Sequence, residues 1–153
     1  MPITYRFFKS YKLVYALGTG SLTDQDCTSH AYQLFHDPDY DFGYNELLDL
    51  SRITAVDLTN DGVYLTSLEV VQHRDSLVNS KLAIVAPTDA LYGMARMYEL
   101  MLKPHLDNTQ VFRTIFPALE FLGLEPSVLE TLNREFRGNL PDSAKKAPSP
   151  PFP

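Results

Sequence analysis

The most restrictive feature of this sequence is the apolar run from Lys81 to Ala86, closed by Pro87. A run this short suits a strand, and a strand without a polar face has to be covered on both sides. Leu91, Met94, Ala95, Tyr98, Met101 and Leu102 then recur at helical spacing from about Thr88 to Leu102, and Pro104 lies just beyond. A doubly covered strand feeding a helix is the unit of a parallel sheet with helices on its faces. The chain therefore reads as α/β.

The rest of the chain repeats that alternation. Ile3 to Phe8 and Lys12 to Leu17 are rich in aromatic and β-branched residues and form a hairpin across Lys9-Ser10-Tyr11. Gly18-Thr19-Gly20 ends the second strand. Thr23 then caps a helix with Asp24 and Asp26 in its first turn, where the dipole favours negative charge. Cys27, Ala31, Leu34 and Phe35 define its buried face, and Asp37-Pro38 stops it. Asn45 to Leu50 is a third strand, followed by a short extended piece from Ile53 to Leu58. Thr59 caps the next helix, whose apolar positions are Tyr64, Leu68 and Val71. The last strand is Thr109 to Ile115, and Pro117 opens a helix through about Leu122 that Gly123 terminates. A further helix after Pro126 carries Val128, Leu129, Leu132 and Phe136. The expectation is a (βα)n domain over 1–124, with a mixed, mostly parallel sheet of about five strands and an N-terminal hairpin. An extra C-terminal helix occupies 125–138, and 139–153 is a flexible proline-rich tail.

Composition narrows the function classes. The 153 residues are 44% hydrophobic and 21% charged, ordinary for a globular domain able to bury a core. A net charge of -6 repels phosphate backbones, and the only basic pair, Lys145-Lys146, lies in the tail, so nucleic acid is not an expected partner. No window approaches the roughly 20 apolar residues of a membrane-spanning helix, so no membrane insertion is expected. The N-terminus has no secretory pattern, and Cys27 is a single thiol, so a cytoplasmic protein is expected.

Individual motifs fall short of complete chemistry. His30, His36, His73 and His105 have no metal-ligand spacing, and no metal or other cofactor is implied. Cys27 and His30 sit three apart on one helix, the seed of a nucleophile, but Cys27 lies on the buried stripe where a thiol is an apolar filler. Asp37, Asp39 and Asp41 alternate as in a calcium loop, yet Gly43 comes one place late and Leu48 stands where glutamate is required, so a solvated turn fits better. Gly18-Thr19-Gly20 lacks the third glycine of a dinucleotide loop. Met94, Met97, Tyr98 and Met101 line one helix face, which is either core or an adaptable apolar pocket.

The segment from Glu46 to Val71 carries more. An apolar strand reaches Asp49-Leu50-Ser51, and a second apolar stretch ends at Val56-Asp57-Leu58-Thr59 before a helix. Asp57 and Thr59 are thereby expected at the carboxyl edge of the sheet, where open α/β sheets bind ligands and helix N-termini attract anions. Capping by Thr59 alone also accounts for these residues. This pattern resembles the STAS domains of bacterial anti-sigma factor antagonists. Thr23-Asp24, Ile84-Val85-Ala86-Pro87 and Gly93-Met94-Ala95-Arg96-Met97-Tyr98 bring it closer to a bacterial group with a SpoIIAA-like fold, described as STAS/SEC14-like and of unsettled activity. The resemblance implies that fold from Ile3 to Leu124. It also implies that Thr59 stands where antagonists are phosphorylated, although Leu58 and the displaced Gly62 break the motif and Asp57 and Asp61 would repel a phosphate.

Three functions compete. The first is a non-catalytic regulatory module that binds a protein partner through an edge formed by Asp57, Thr59, Ser51, Thr88 and Asp89. The second is a carrier of a small apolar or lipid-like ligand in a SEC14-like pocket at Met94, Met97, Tyr98 and Met101. The third is an enzyme in which Asp49, Asp57 and Asp89 converge with Ser51 and Thr88 for acid–base work. Apolar surface on the C-terminal helix suggests a homodimer.

Overall fold

A computed structural model describes residues 2–137, so the expected tail at 139–153 and the last residue of the expected extension, Gly138, lie outside the described residues. The strands are β1 (Ile3–Phe8), β2 (Leu13–Thr23), β3 (Asn45–Asp57), β4 (Leu82–Val85) and β5 (Thr109–Phe112). The helices are α1 (Asp24–Phe35), α2 (Asn60–Val71), α3 (Asp89–Leu102), α4 (Ile115–Phe121) and α5 (Val128–Arg137). No helix among the described residues is long and apolar enough to cross a membrane.

The five strands lie side by side in chain order, β1 antiparallel to β2 and the rest parallel. Crossovers of one hand that always step the same way must put their helices on one face. Accordingly α1, α2 and α3 pack against each other on one side, while α4 and α5 cover the other. Thr23 and Thr59 cap α1 and α2 as expected, and Thr88 caps α3. Gly123, at φ 73°, ends α4 in a Schellman turn: its N–H donates to the Glu120 carbonyl and that of Leu124 to Leu119.

Several expectations need correction. β2 does not stop at Gly18-Thr19-Gly20 but runs on to Thr23 beside β3, which is one strand rather than two pieces. The two glycines allow this. Gly20 takes φ 74° at a register shift, and a Cβ on Gly18 would lie 2.9 Å from Ile53 Cδ1. β2 and β3 thus project beyond β4, whose pairing with β3 ends at Asp49 and Val85, and Leu22, Leu50 and Ile53 are buried in one cluster with Leu91 and Ala95 of α3. The last strand ends at Phe112, because Ile115 turns inward as the first residue of α4 and is fully buried.

In α2 the expected face is the wrong one. Tyr64 and Leu68 are exposed and Val71 is half-buried, whereas Gly62, Val63, Thr66, Ser67 and Val70 are buried. Small residues were required because α1 passes close by: Thr28 and Thr66 share a 3.1 Å hydroxyl contact. The apolar face of α5 is not free either. Val128, Leu129, Leu132 and Phe136 are buried in one cluster with Leu13, Tyr15 and Leu47, so this face is covered by the chain's own sheet and is not a dimer surface.

Candidate functional site

The residues expected to form one edge sit on β3 and at the starts of α2 and α3. Ser51 follows Asp49 on β3, and its N–H donates to Asp49 Oδ1 at 3.0 Å. Asp57 is exposed at the far end of β3, paired with Thr23. Thr88 accepts from the Leu91 N–H at the start of α3, and exposed Asp89 pairs with Arg113 at 2.7 Å. The acid–base trio does not converge. Asp49 is 1% exposed on the α4/α5 side and accepts the Tyr15 hydroxyl at 2.8 Å, while Asp57 lies eight strand residues, about 25 Å of contour, further on.

Thr59 is already engaged. Its N–H and hydroxyl donate to the two oxygens of Asp24 at 2.9 and 2.6 Å, and its Oγ1 accepts the Gly62 N–H at 3.0 Å. A carboxylate from α1 therefore occupies the positive start of α2, where an external anion would otherwise sit. Gly62 makes this possible, since a Cβ there would fall 1.9 Å from Asp24 Cγ. A phosphate on Thr59 would meet Asp24 directly as well as the neighbouring acids, which disfavours a phosphoswitch.

A different feature has the character of a site. Between the sheet and α1–α3 lies a partly enclosed cavity of about 110 Å³. Its wall is mostly apolar, with Ile3, Leu22, Leu48, Leu50 and Ile84 from the sheet facing Leu34, Leu58 and Leu91. The space exists because α1 and α3 present Ala31 and Ala95 where larger side chains would fill it. Of the four residues expected to line a pocket, Met94 and Tyr98 do so; half-buried Met97 and Met101 are not among the lining residues.

Besides Thr66, Ser80, Lys81, Asn108 and Thr109, the wall carries one histidine–carboxylate pair. His30 of α1 and Glu46 of β3 both line the cavity, and His30 Nε2 meets Glu46 Oε2 at 2.8 Å. His30 is 7% exposed, and its Nδ1 is buried with no hydrogen-bond partner among the described residues. The ring of Tyr5 packs edge-on against His30 at 5.7 Å, and its hydroxyl donates to Asp37. Burial, followed by the hydrogen bond to Asp37, pushes the Tyr5 phenol up to about 12. Burial and then the Glu46 charge raise Tyr40 and Tyr98 further still. Cys27 also lines the cavity, but burial and the nearby Asp26 and Asp24 charges hold its thiol at about 12. It stays protonated at neutral pH and is a poor nucleophile, in keeping with the expected filler role.

The His30–Glu46 pair was not anticipated from the sequence. Two signals were present. His30 lies on the stripe of Cys27, Ala31 and Leu34, and Glu46 alternates in phase with Leu48 and Leu50, so each is a polar residue on an apolar face. No family model matches the chain, and no curated protein matches it.

Proposed function

We propose that this chain is a small-molecule binding domain whose ligand occupies the cavity between the sheet and α1–α3. The observation that supports this reading is the cavity itself: one side of an otherwise close-packed domain keeps a mostly apolar space whose wall carries a histidine–carboxylate pair. It fits the carrier function suggested by the STAS/SEC14-like resemblance, in a cytoplasmic, bacterial setting. Native mass spectrometry of gently purified protein tests it. A reproducible added mass that disappears in Ala95→Leu is the expected result, and apo protein that also takes up no added small apolar compounds would refute it.

A second reading, a regulatory module that docks a protein, is favoured by the outer face of α2. Tyr64, Leu65 and Leu68 are exposed there together. On this reading the partner meets the helix face and not its start, which Asp24 already occupies. Leu65→Asp with Leu68→Asp would then abolish capture of the partner from lysate while leaving the melting temperature unchanged. Capture unaffected by these changes would remove the face from consideration.

A further inference from the structure

The lining residues give the cavity a shape as well as a size. On α1 they run from Cys27 to Phe35, about 12 Å of helix axis. On α2 they run from Val63 to Val70 and on α3 from Leu91 to Tyr98, about 10 Å in each case. Glu46, Leu48 and Leu50 extend it along about 13 Å of β3. Leu58 lines it just before α2 and Leu77 just after. Gathered into a sphere, about 110 Å³ would be little longer than one helical turn. The space is therefore a slender slot running the length of the helical layer. Its volume is of the same order as the ~150 Å³ apolar cavity that accepts benzene, so about six carbon atoms fill it.

The wall has no positive charge to spare. His30, charged or neutral, faces the Glu46 carboxylate at 2.8 Å, and the pair presents no net positive charge. The Lys81 ammonium donates to the Phe121 carbonyl and sits over the Phe121 ring, which packs in the α4/α5 cluster across the sheet. The other polar side chains are engaged within the chain: Thr66, Ser80 and Asn108 donate to backbone carbonyls, and Thr109 donates to Asn108. Burial keeps the Cys27 thiol and the Tyr40 and Tyr98 phenols protonated at neutral pH. An anion would meet Glu46 with no cation to offset it, and a strongly polar molecule would exchange water for a wall that returns few hydrogen bonds.

We propose that the slot takes a short, neutral, unbranched aliphatic chain laid lengthwise between β3 and the three helices. This rests on the reading of the cavity as a ligand site, and adds the shape and charge of the ligand.

Calorimetric titration of the full chain with 1-butanol, 1-pentanol, 1-hexanol, the branched isomer 3,3-dimethylbutan-1-ol and hexanoate tests it. Each added methylene up to 1-hexanol should tighten binding about fourfold, the worth of one buried methylene. The branched isomer should bind about tenfold more weakly than 1-hexanol, because its bulk overpacks a narrow space, and hexanoate should bind more weakly still. In Ala95→Leu, which narrows the slot midway along α3, 1-hexanol should no longer bind. Whether or not that variant folds, the series in the unaltered chain decides. A branched isomer that binds as tightly as 1-hexanol, or no gain with chain length, would overturn the chain shape. Tightest binding by hexanoate would overturn the neutral class, and each of these results leaves the cavity reading intact. Binding of none of the five would overturn the ligand class and the cavity reading together.

Discussion

The two faces of the sheet are built to different standards. On the α4/α5 side, Leu13, Leu47, Ala83, Ile115, Ala118 and Leu132 have no accessible surface, and the main polar intrusion, Asp49, is satisfied by the Tyr15 hydroxyl and the Ser51 N–H. On the α1–α3 side, alanines stand at contact positions, a cavity remains, and His30 keeps an unpaired nitrogen. Packing to crystal-like density stabilises, whereas a space with an unsatisfied polar atom costs stability. The comparison teaches that one layer is packed throughout and the other keeps open space.

The harshest challenge to this division is removal of α5. A chain ending at Leu124 loses four buried side chains worth about 1.5–3 kcal/mol each, comparable with a whole domain's margin of about 5–15 kcal/mol. It should lack a cooperative urea transition, and a native-like melt would show that the α4/α5 layer is dispensable. Within the intact chain, Leu132→Ala should cost about 2–5 kcal/mol by chemical denaturation, because a fully enclosed site cannot collapse around the gap.

Gly62→Ala probes the junction of α1 and α2. The new methyl would displace Asp24 and forfeit its bonds to Thr59, at a cost of about 1–3 kcal/mol. In an Asp24→Ala background the same change should be neutral or slightly favourable, since alanine is the better helix former. A double-mutant cycle reads this coupling directly, and additive effects would disprove the clamp.

Alkaline pH bears on the cavity side more gently. The thiol of Cys27 goes from 9.0 to about 12 and the Tyr5 phenol from 10.0 to about 12 on folding. Both folded-state values are raised, so their contribution is fully present below pH 9 and is lost as pH rises towards 12. At pH 10 the Cys27 share of the loss should be about 1 kcal/mol, and Cys27→Ala should flatten that part of the profile. The smallest effect belongs to Ala95→Leu. Filling the cavity should raise stability by about 0.5 kcal/mol and exclude ligand. A loss as large as that of Leu132→Ala would mean that the two faces are packed alike.

Much of the frame was legible because it depends on local signals. Thr23 and Thr59 are caps in sequence and in space, and the spacing of Val128, Leu129, Leu132 and Phe136 identified an apolar helix face, though not that the chain's own sheet covers it. The alternation of strands and helices and the opening hairpin follow from the same local patterns. What escaped depends on neighbours. The inward face of α2 is set by the close approach of α1, which selects Gly62 and Thr66 over Tyr64 and Leu68. The reach of β2 past Gly20 needs a partner strand whose matching length is not written in β2 itself. His30 and Glu46 belong to separate elements sixteen positions apart, and no pattern within either element announces the meeting.

The enclosure of Tyr15 by Phe136, with the Arg6 guanidinium donating to the Glu135 carbonyl, joins the first hairpin to the last helix. During synthesis the chain emerges N-terminus first. β1 to β4 and the cavity-bearing helices leave the ribosome while half of the sheet still shows its bare apolar side. Only when residue 136 appears can that side be sealed. Until α5 arrives, the nascent domain keeps that apolar face open to solvent.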